Sequence, residues 1–483
     1  MARKSSSGTP SFGSTKHGSK SKVSYADLEA MGVNMTRVMV DFLKVHGAEG
    51  IRAMTASVNQ MAVPDNHFDT VENLEAIEEA KSAFAAKQAD HAVAYEDALA
   101  AERLSRRQVE KNPSWGASKD VALALRISPR KGTEFTNSAR ILRNDLPLTH
   151  QALREGRLSW AQALVVIGGT RHLQEHNRQL IDELLWDQVN NTFDQGTALL
   201  SSRISFWALQ LEPKTEESLE EKALERRNVC GYQINAHEIM IKGIFPLAMG
   251  VAMLQALTAI AAAAKNQANE KRTIGQIQAD TLHEMVTGAK PGGVGVEILL
   301  VMDATVLSGQ SDEPVLLPGY GPITAKAARK LVSDSELITW VRALYLDSKT
   351  GKLVAMKSKA REFGGNLKKL IMVRDQYCRT PHCNNKIREI DHIVQVRSNG
   401  KTSAKNGDGR CRSCNMTKEA PGWEEKPIKG QRHSFQITTP SGHTYISQAP
   451  PLPGTKMSGY PRAKLPKKSP GGSPPKTRTP YNV

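Results

Sequence analysis

Four of the five cysteines in this 483-residue chain fall in one stretch, Cys378 to Lys418, which reads CRTPHC, then EIDHI, then KNGDGRCRSCNMTK. Cys378 and Cys383 form a C-x4-C pair and Cys411 and Cys414 a C-x2-C pair, with 27 residues between them. Each short pair can place two thiolates on one ion, and two pairs complete a tetrahedron, so the spacing reads as a Zn²⁺ site. His382, inside the first knuckle, is an alternative ligand. A four-cysteine site leaves no position open for water, so this zinc is structural. Any chemistry must come from the polar residues that it holds in place.

Those residues are Asp391, His392, Asn406 and Asn415. A hard divalent cation takes oxygen ligands, which Asp391 offers as a carboxylate and Asn415 as an amide carbonyl. An imidazole titrating near neutrality is suited to taking a proton from water. Together these groups can hydrolyse a phosphodiester, with His392 activating water and the cation stabilising the departing oxygen. On a regular strand, Asp391 and His392 point to opposite faces, so a twist or bulge must aim both at one site. Arg410, Arg412 and Lys418 are candidate phosphate contacts.

These residues resemble the signature of the HNH endonucleases, the ββα-metal nucleases, in which a His, an Asn and a His or Asn are framed in many members by two cysteine pairs. His392 fills the first position, Asn406 the second after 13 residues, and Asn415 the third after eight more. The resemblance implies a ββα fold, a Mg²⁺ or Mn²⁺ ion on Asp391 and Asn415, and His392 as general base. It gives Asn406 the task of holding the loop that aims His392. LYLDSKTGKLVAM, CNMTKEAPGW and TTPSGHTY extend the likeness to an actinobacterial and actinophage HNH group with an uncharacterised helical domain ahead of the nuclease. GQIQADTLHEMVTG and LPGYGPITAKAARKL look like the end of that domain.

The elements that must carry this site read as α+β, mostly α. A basic, disordered tail over 1–24 precedes a helical domain of unknown function over 25–228. Its pattern includes a stripe at Val38, Met39, Phe42 and Leu43, long exposed acidic helices over Phe68–Arg107, and core candidates Trp160, Leu164, Leu180, Leu184, Leu185 and Trp207. His150, His172 and His176 read as isolated and solvated. An α+β continuation spans 229–340: strands VCGYQI and EIMIKGIF, an Ala-rich helix after Pro246, a helix from Thr273 stopped by Gly288, and a strand at Val294–Met302, forming a small sheet covered by helices. Cys230 on its strand reads as core. The HNH domain spans 341–447, with a hairpin at Leu344–Met356, a basic helix capped by Asn366, and a strand pair turned at Pro440-Ser441-Gly442. The tail 448–483, rich in Pro and Lys, is disordered.

The net charge is +16, but it is not evenly spread. Residues 351–447 hold 19 basic and eight acidic residues, the two tails hold only basic ones, and the chain between is net acidic. That concentration suits nucleic acid as partner, double-stranded DNA in the first place. The run Val251–Ala264 is shorter than the ~20 residues that a bilayer requires, so no membrane partner is expected. Cysteines read as metal ligands point to a reducing, cytoplasmic setting. The competing function classes are a catalytically decayed nucleic-acid-binding protein and an interaction scaffold with zinc for stability alone.

Overall fold

A computed structural model describes residues 34–106, 112–187, 196–212, 221–267, 269–288, 300–302, 304–318, 320–333, 363–430 and 432–450. The expected N-terminal tail, residues 451–483 of the expected C-terminal tail, the expected hairpin at Leu344–Met356 and most of the expected strand at Val294–Met302 lie outside these residues, while Gln448 of the C-terminal tail ends a strand and Ala449 is buried. The chain divides into two units, 1–77 and 78–483. In the first, helix α1 (Met35–Val58) starts where the Asn34 side chain accepts from Arg37 N at 2.8 Å, satisfying one of the free N–H groups of the first turn. Met39, Phe42 and Leu43 of the expected stripe are half-buried, whereas Val38 is exposed. Helix α2 (His67–Ser105) opens in this unit with Asn66 as its cap and continues into the second.

The second unit is built on a helical core. Ala86, Ala89 and Val93 recur on one face of α2 and share a buried cluster with Ala139 and Leu142 of α3 (Pro129–Asp145). Leu142, Leu146, Leu153, Ile181, Leu185 and Ile204 fill the interior, with Trp160 and Trp207 packed against them. Leu164 and Leu184 are exposed, in contrast to expectation. The reading of His150 also changes: its side chain is 13% exposed and its Nε2 lies 3.1 Å from Asp90.

The next segment forms a hairpin, β1 (Asn228–Asn235) with β2 (Glu238–Ile244), then α4 (Leu247–Lys265) and α5 (Ile274–Thr287). Thr273 and Gln276 form a capping box for α5, and Gly288 closes it in the left-handed region. The expected covering of this sheet is absent among the described residues, where every residue of β2 is exposed. Cys230 is exposed rather than core for the same reason. Helix α4 buries only Ala261, and at 19 residues it is long and apolar enough to cross a membrane by length and composition.

The C-terminal module begins with α6 (Gly365–Asp375), whose N-cap is Gly364, so Asn366 sits inside the first turn instead of capping it. Strands β3 (Glu389–His392) and β4 (Gly407–Arg410) pair antiparallel, with Asp391 opposite Asp408 and His392 opposite Gly407. Helix α7 (Arg412–Thr417) follows directly, giving a ββα unit. Strands β5 (Glu424–Ile428), β6 (Ser434–Thr438) and β7 (Thr444–Gln448) form a second antiparallel sheet, turned between β6 and β7 at Pro440-Ser441-Gly442 as expected. The fold is thus mostly helical with small antiparallel sheets, ending in a cluster of four cysteines.

Named contacts dock this module on the helical core. Arg103, 2% exposed, donates to the main-chain oxygens of Pro113 (2.8 Å), Trp115 (2.7 Å) and Pro421 (2.6 Å). Asp120 accepts from the Tyr95 hydroxyl at 2.5 Å and from Ser441 N at 3.1 Å. Gly116, at φ +86°, lies so close to Trp423 that an added Cβ would sit 2.8 Å from the indole nitrogen. On the other side, the Lys386 ammonium lies 4.5 Å from the centre of the Tyr320 ring, and the Tyr377 hydroxyl donates to Tyr320 O at 3.1 Å. Replacing Arg103 leaves three main-chain acceptors without their donor. Arg103→Ala is therefore expected to cost about 3 kcal/mol in chemical denaturation, with faster proteolysis between the core and the zinc module.

Candidate metal centre and adjoining cleft

The four Sγ atoms of Cys378, Cys383, Cys411 and Cys414 all lie within 4.8 Å of one another and are buried. Cys383 Sγ is 3.9 Å from Cys411 Sγ and 3.7 Å from Cys414 Sγ. Tetrahedral ligands about 2.3 Å from Zn²⁺ lie roughly 3.8 Å apart, whereas a disulfide brings sulfurs to about 2 Å. The residues present therefore fit zinc. Four thiols this close resist ionising together: hydrogen bonding from Cys383 holds Cys378 down to about 7, while hydrogen bonds to Cys378 and Cys383 push Cys414 up. A bound divalent cation removes that conflict. His382 is exposed and outside the ligand set, and Asn385 Nδ2 donates to Cys411 Sγ at 3.6 Å. The helical core adds a cation, Lys119, whose charge burial disfavours and the thiolates of Cys414, Cys411 and Cys383 favour.

Beside this centre, β3 delivers Asp391 and His392 to one cleft of about 670 Å³, lined also by Phe363, Lys368, Arg388 and Glu389. The strand ends at His392, and the bend after it lets adjacent residues reach one cleft. His392 is 7% exposed, packs at 4.5 Å on the Phe363 ring and hydrogen-bonds Thr402 Oγ1 through Nε2 at 3.0 Å. Asp391 Oδ1 accepts from His392 N at 2.8 Å, and Lys418 Nζ lies 2.5 Å from its Oδ2. Asn415 donates through Nδ2 to Glu389 Oε2 at 2.6 Å, and its Oδ1 is buried with no hydrogen-bond partner among the described residues. That buried oxygen can still accept a hydrogen bond or meet a hard cation, the chemistry an amide carbonyl offers.

Asn406 ties the intervening loop. Its Nδ2 donates to Val394 O (2.9 Å) and Lys401 O (3.1 Å), and its Oδ1 accepts from Val394 N (2.9 Å). Gly400 is required in this loop, since a Cβ there would lie 1.7 Å from Val394 O.

The candidate phosphate contacts separate. Arg412 is exposed, in a cleft of about 680 Å³ shared with Lys119, Trp115 and Arg140 of the helical core. Arg410, 1% exposed, pairs with Asp408 and with Glu425 at 2.5 Å and donates to Thr380 Oγ1 at 2.6 Å. Lys418, 8% exposed, holds Asp391 and donates to His392 O at 2.8 Å. Both are corrected from surface contacts to interior ones: Arg410 pairs with buried Asp408 and with Glu425, and Lys418 is held between the Asp391 carboxylate and the His392 carbonyl. Glu389, Thr402, Lys368 and Arg388 were not foreseen. Glu389 alone carried a signal, since it stands two residues before Asp391 and so shares its strand face.

Beneath the site, Asp375 is fully buried, and its pKa is about 2 because Arg374 and Arg379 outweigh the cost of burial. His433, hydrogen-bonded to Lys405 O at 3.0 Å, is held down to about 3 by burial and by Arg374.

Residues 79–375 match the model of a family described as a domain of unknown function, DUF222. The chain belongs to this family. The match crosses the boundary expected at 228/229 and stops before Cys378, so the cysteine cluster lies outside it. No curated protein and no solved structure matches the chain. The DUF222 match and the four-cysteine site are together consistent with a zinc-containing, nucleic-acid-related protein.

Elemental analysis is expected to give one zinc per chain, with the four clustered thiols reacting with a thiol reagent only after chelation; Cys411→Ser is expected to lose both zinc and the module's resistance to protease. A second expectation concerns pH. The neutral His433 stabilises the fold fully above pH ~6.5, and this contribution is lost as the pH falls towards about 3. In denaturant titrations at a series of pH values, His433→Gln should show a shallower fall in stability on acidification than the wild type.

Proposed function

We propose that this DUF222 chain is a metal-dependent endonuclease of the HNH type that hydrolyses phosphodiester bonds of nucleic acid, double-stranded DNA by preference. The observation that carries the reading is the convergence of Asp391 and His392 on one cleft beside Asn415, on a ββα unit that the four cysteines staple. Lys368, Arg388 and Arg397 on the same cleft give a polyanion its electrostatic footing.

In this reading the His392 imidazole takes a proton from water as the water oxygen bonds to phosphorus and the bond to the leaving sugar oxygen breaks. Thr402 and the Phe363 ring fix the orientation of the imidazole. Asn406 holds the loop that follows His392. A Mg²⁺ or Mn²⁺ ion held by Asp391 and Asn415 would neutralise charge on the phosphate and stabilise the departing oxygen. Lys418 pairs with Asp391 Oδ2 and would hold that carboxylate in place for the ion. Arg412 is exposed for a phosphate contact of its own.

One observation favours a second reading, a zinc-stapled nucleic-acid-binding module without catalysis: the Lys418 ammonium already sits on Asp391. Plasmid incubation with Mg²⁺ or Mn²⁺ separates the two. The wild type is expected to nick or cut, His392→Ala to be slower by roughly 10²–10⁴-fold, and Thr402→Val to fall between them with zinc retained. Equal cleavage by wild type and His392→Ala would remove His392 from the mechanism. Salt-sensitive binding without cleavage by any variant would establish the second reading.

A further inference from the structure

Only one end of an asparagine amide can hold a cation. The carbonyl oxygen ligates, whereas the NH₂ group turns two donors towards the positive charge and repels it. At Asn415 a half-turn of the amide therefore separates a ligand from an obstacle. The zinc centre fixes the backbone of this residue: Asn415 lies between Cys414 and Met416 on α7, and its N–H donates to Cys411 O at 3.0 Å. It leaves the last side-chain dihedral unspecified.

That dihedral has a second determinant. The Glu389 carboxylate accepts hydrogen bonds and donates none. Its Oε2 lies 2.6 Å from Asn415 Nδ2, so it selects the NH₂ end. Asn415 Oδ1 is left buried and without a partner among the described residues, an arrangement that costs about 1–3 kcal/mol unless something meets the oxygen. Glu389 shares a strand face with Asp391, two residues on, and both line the cleft. One face of β3 thus supplies one oxygen ligand and the group that turns the second.

We infer that Glu389 is a positioning residue that holds the Asn415 amide with its oxygen, not its nitrogen, towards the divalent-ion site. The inference rests on the reading of Asp391 and Asn415 as ligands of that ion. It explains how a neutral amide serves where the resembling pattern also admits histidine: the strand carries the orienting acceptor.

The test measures Mn²⁺ binding to the zinc-loaded full chain without nucleic acid, by the electron paramagnetic resonance of free Mn²⁺. Glu389→Ala is expected to weaken binding by about 10-fold or more. Glu389→Gln retains an oxygen for Nδ2 and is expected to bind close to wild type. Asn415→Asp has oxygen at both ends and needs no orienting, so adding Glu389→Ala to it should cost only a small part of that loss. Zinc content of each variant reports folding. Equal loss from Glu389→Ala in the wild-type and Asn415→Asp backgrounds overturns the inference and makes Glu389 a ligand. No loss from Glu389→Ala, while Asp391→Ala and Asn415→Ala abolish binding, overturns the inference and leaves the ion site standing. Mn²⁺ binding indifferent to Asp391→Ala and Asn415→Ala removes the ion site and the inference with it.

Discussion

Sulfur crowding is the constraint that the C-terminal module answers to. Four Sγ atoms within 4.8 Å cannot all carry charge unless a cation sits among them. Satisfying that constraint joins two segments 27 residues apart and fixes α7 against β3. The consequences run outward from there. Cys411 is the N-cap of α7, so the residue that ligates also starts the helix that presents Asn415. On the helical core, Lys119 donates to Pro129 O and Thr133 Oγ1; burial disfavours its charge and the cysteine thiolates favour it.

The rest of the module is held by buried charge as much as by apolar packing. Its hydrophobic clusters are small: Phe363, Leu367, Leu370 and Ile371 on one side of the strand pair, and Ile393, Phe435 and Ile437 on the other. Between them run Arg379 and Arg410, each with its guanidinium 5.2 Å from the Phe435 ring. Arg379 is bonded to Asp375 and Ser447, and Arg410 to Asp408 and Glu425. Such pairs gain little over apolar packing of the same shape, but losing one partner costs several kcal/mol because the other is stranded. They resist slippage better than they add stability. In a module whose β3 and β4 are four residues each, a one-residue shift would invert every side chain, and geometry-demanding ion pairs oppose it.

What the sequence made legible is what is local. The short spacing within each cysteine pair, the helix start at Thr273, the Gly288 stop and the Pro440-Ser441-Gly442 turn each depend on residues a few positions apart, and each is found. The role of Asn406 came from resemblance; its side chain makes three hydrogen bonds to the loop. What escaped depends on partners remote in the chain. Arg410 and Lys418 look like surface cations in a basic segment. Arg410 is buried because Glu425 arrives on β5, a strand whose Glu-Glu-Lys-Pro-Ile sequence carries no strand alternation and is tolerated as an edge. Arg103 reads as one more charge on an acidic helix, and its acceptor Pro421 lies 318 residues away. Cys230 was assigned to a core on hydrophobicity alone, which cannot tell a covered strand from an uncovered one.

The family match and the hydrogen bonding place different limits on the same region. The match ends at residue 375. Asp375 also ties the C-terminal module: its carboxylate accepts from Arg374, from Arg379 at 2.7 Å and from Gly409 N at 2.8 Å. Arg374 in turn donates to Gly407 O at 2.7 Å, on the strand facing His392. Helix α6 thus belongs by sequence to the family domain and by bonding to the site. Val373 on the same helix packs with Val301 and Leu316 of the preceding segment. Through these contacts the last helix of the DUF222 match is bonded to the strand that faces His392.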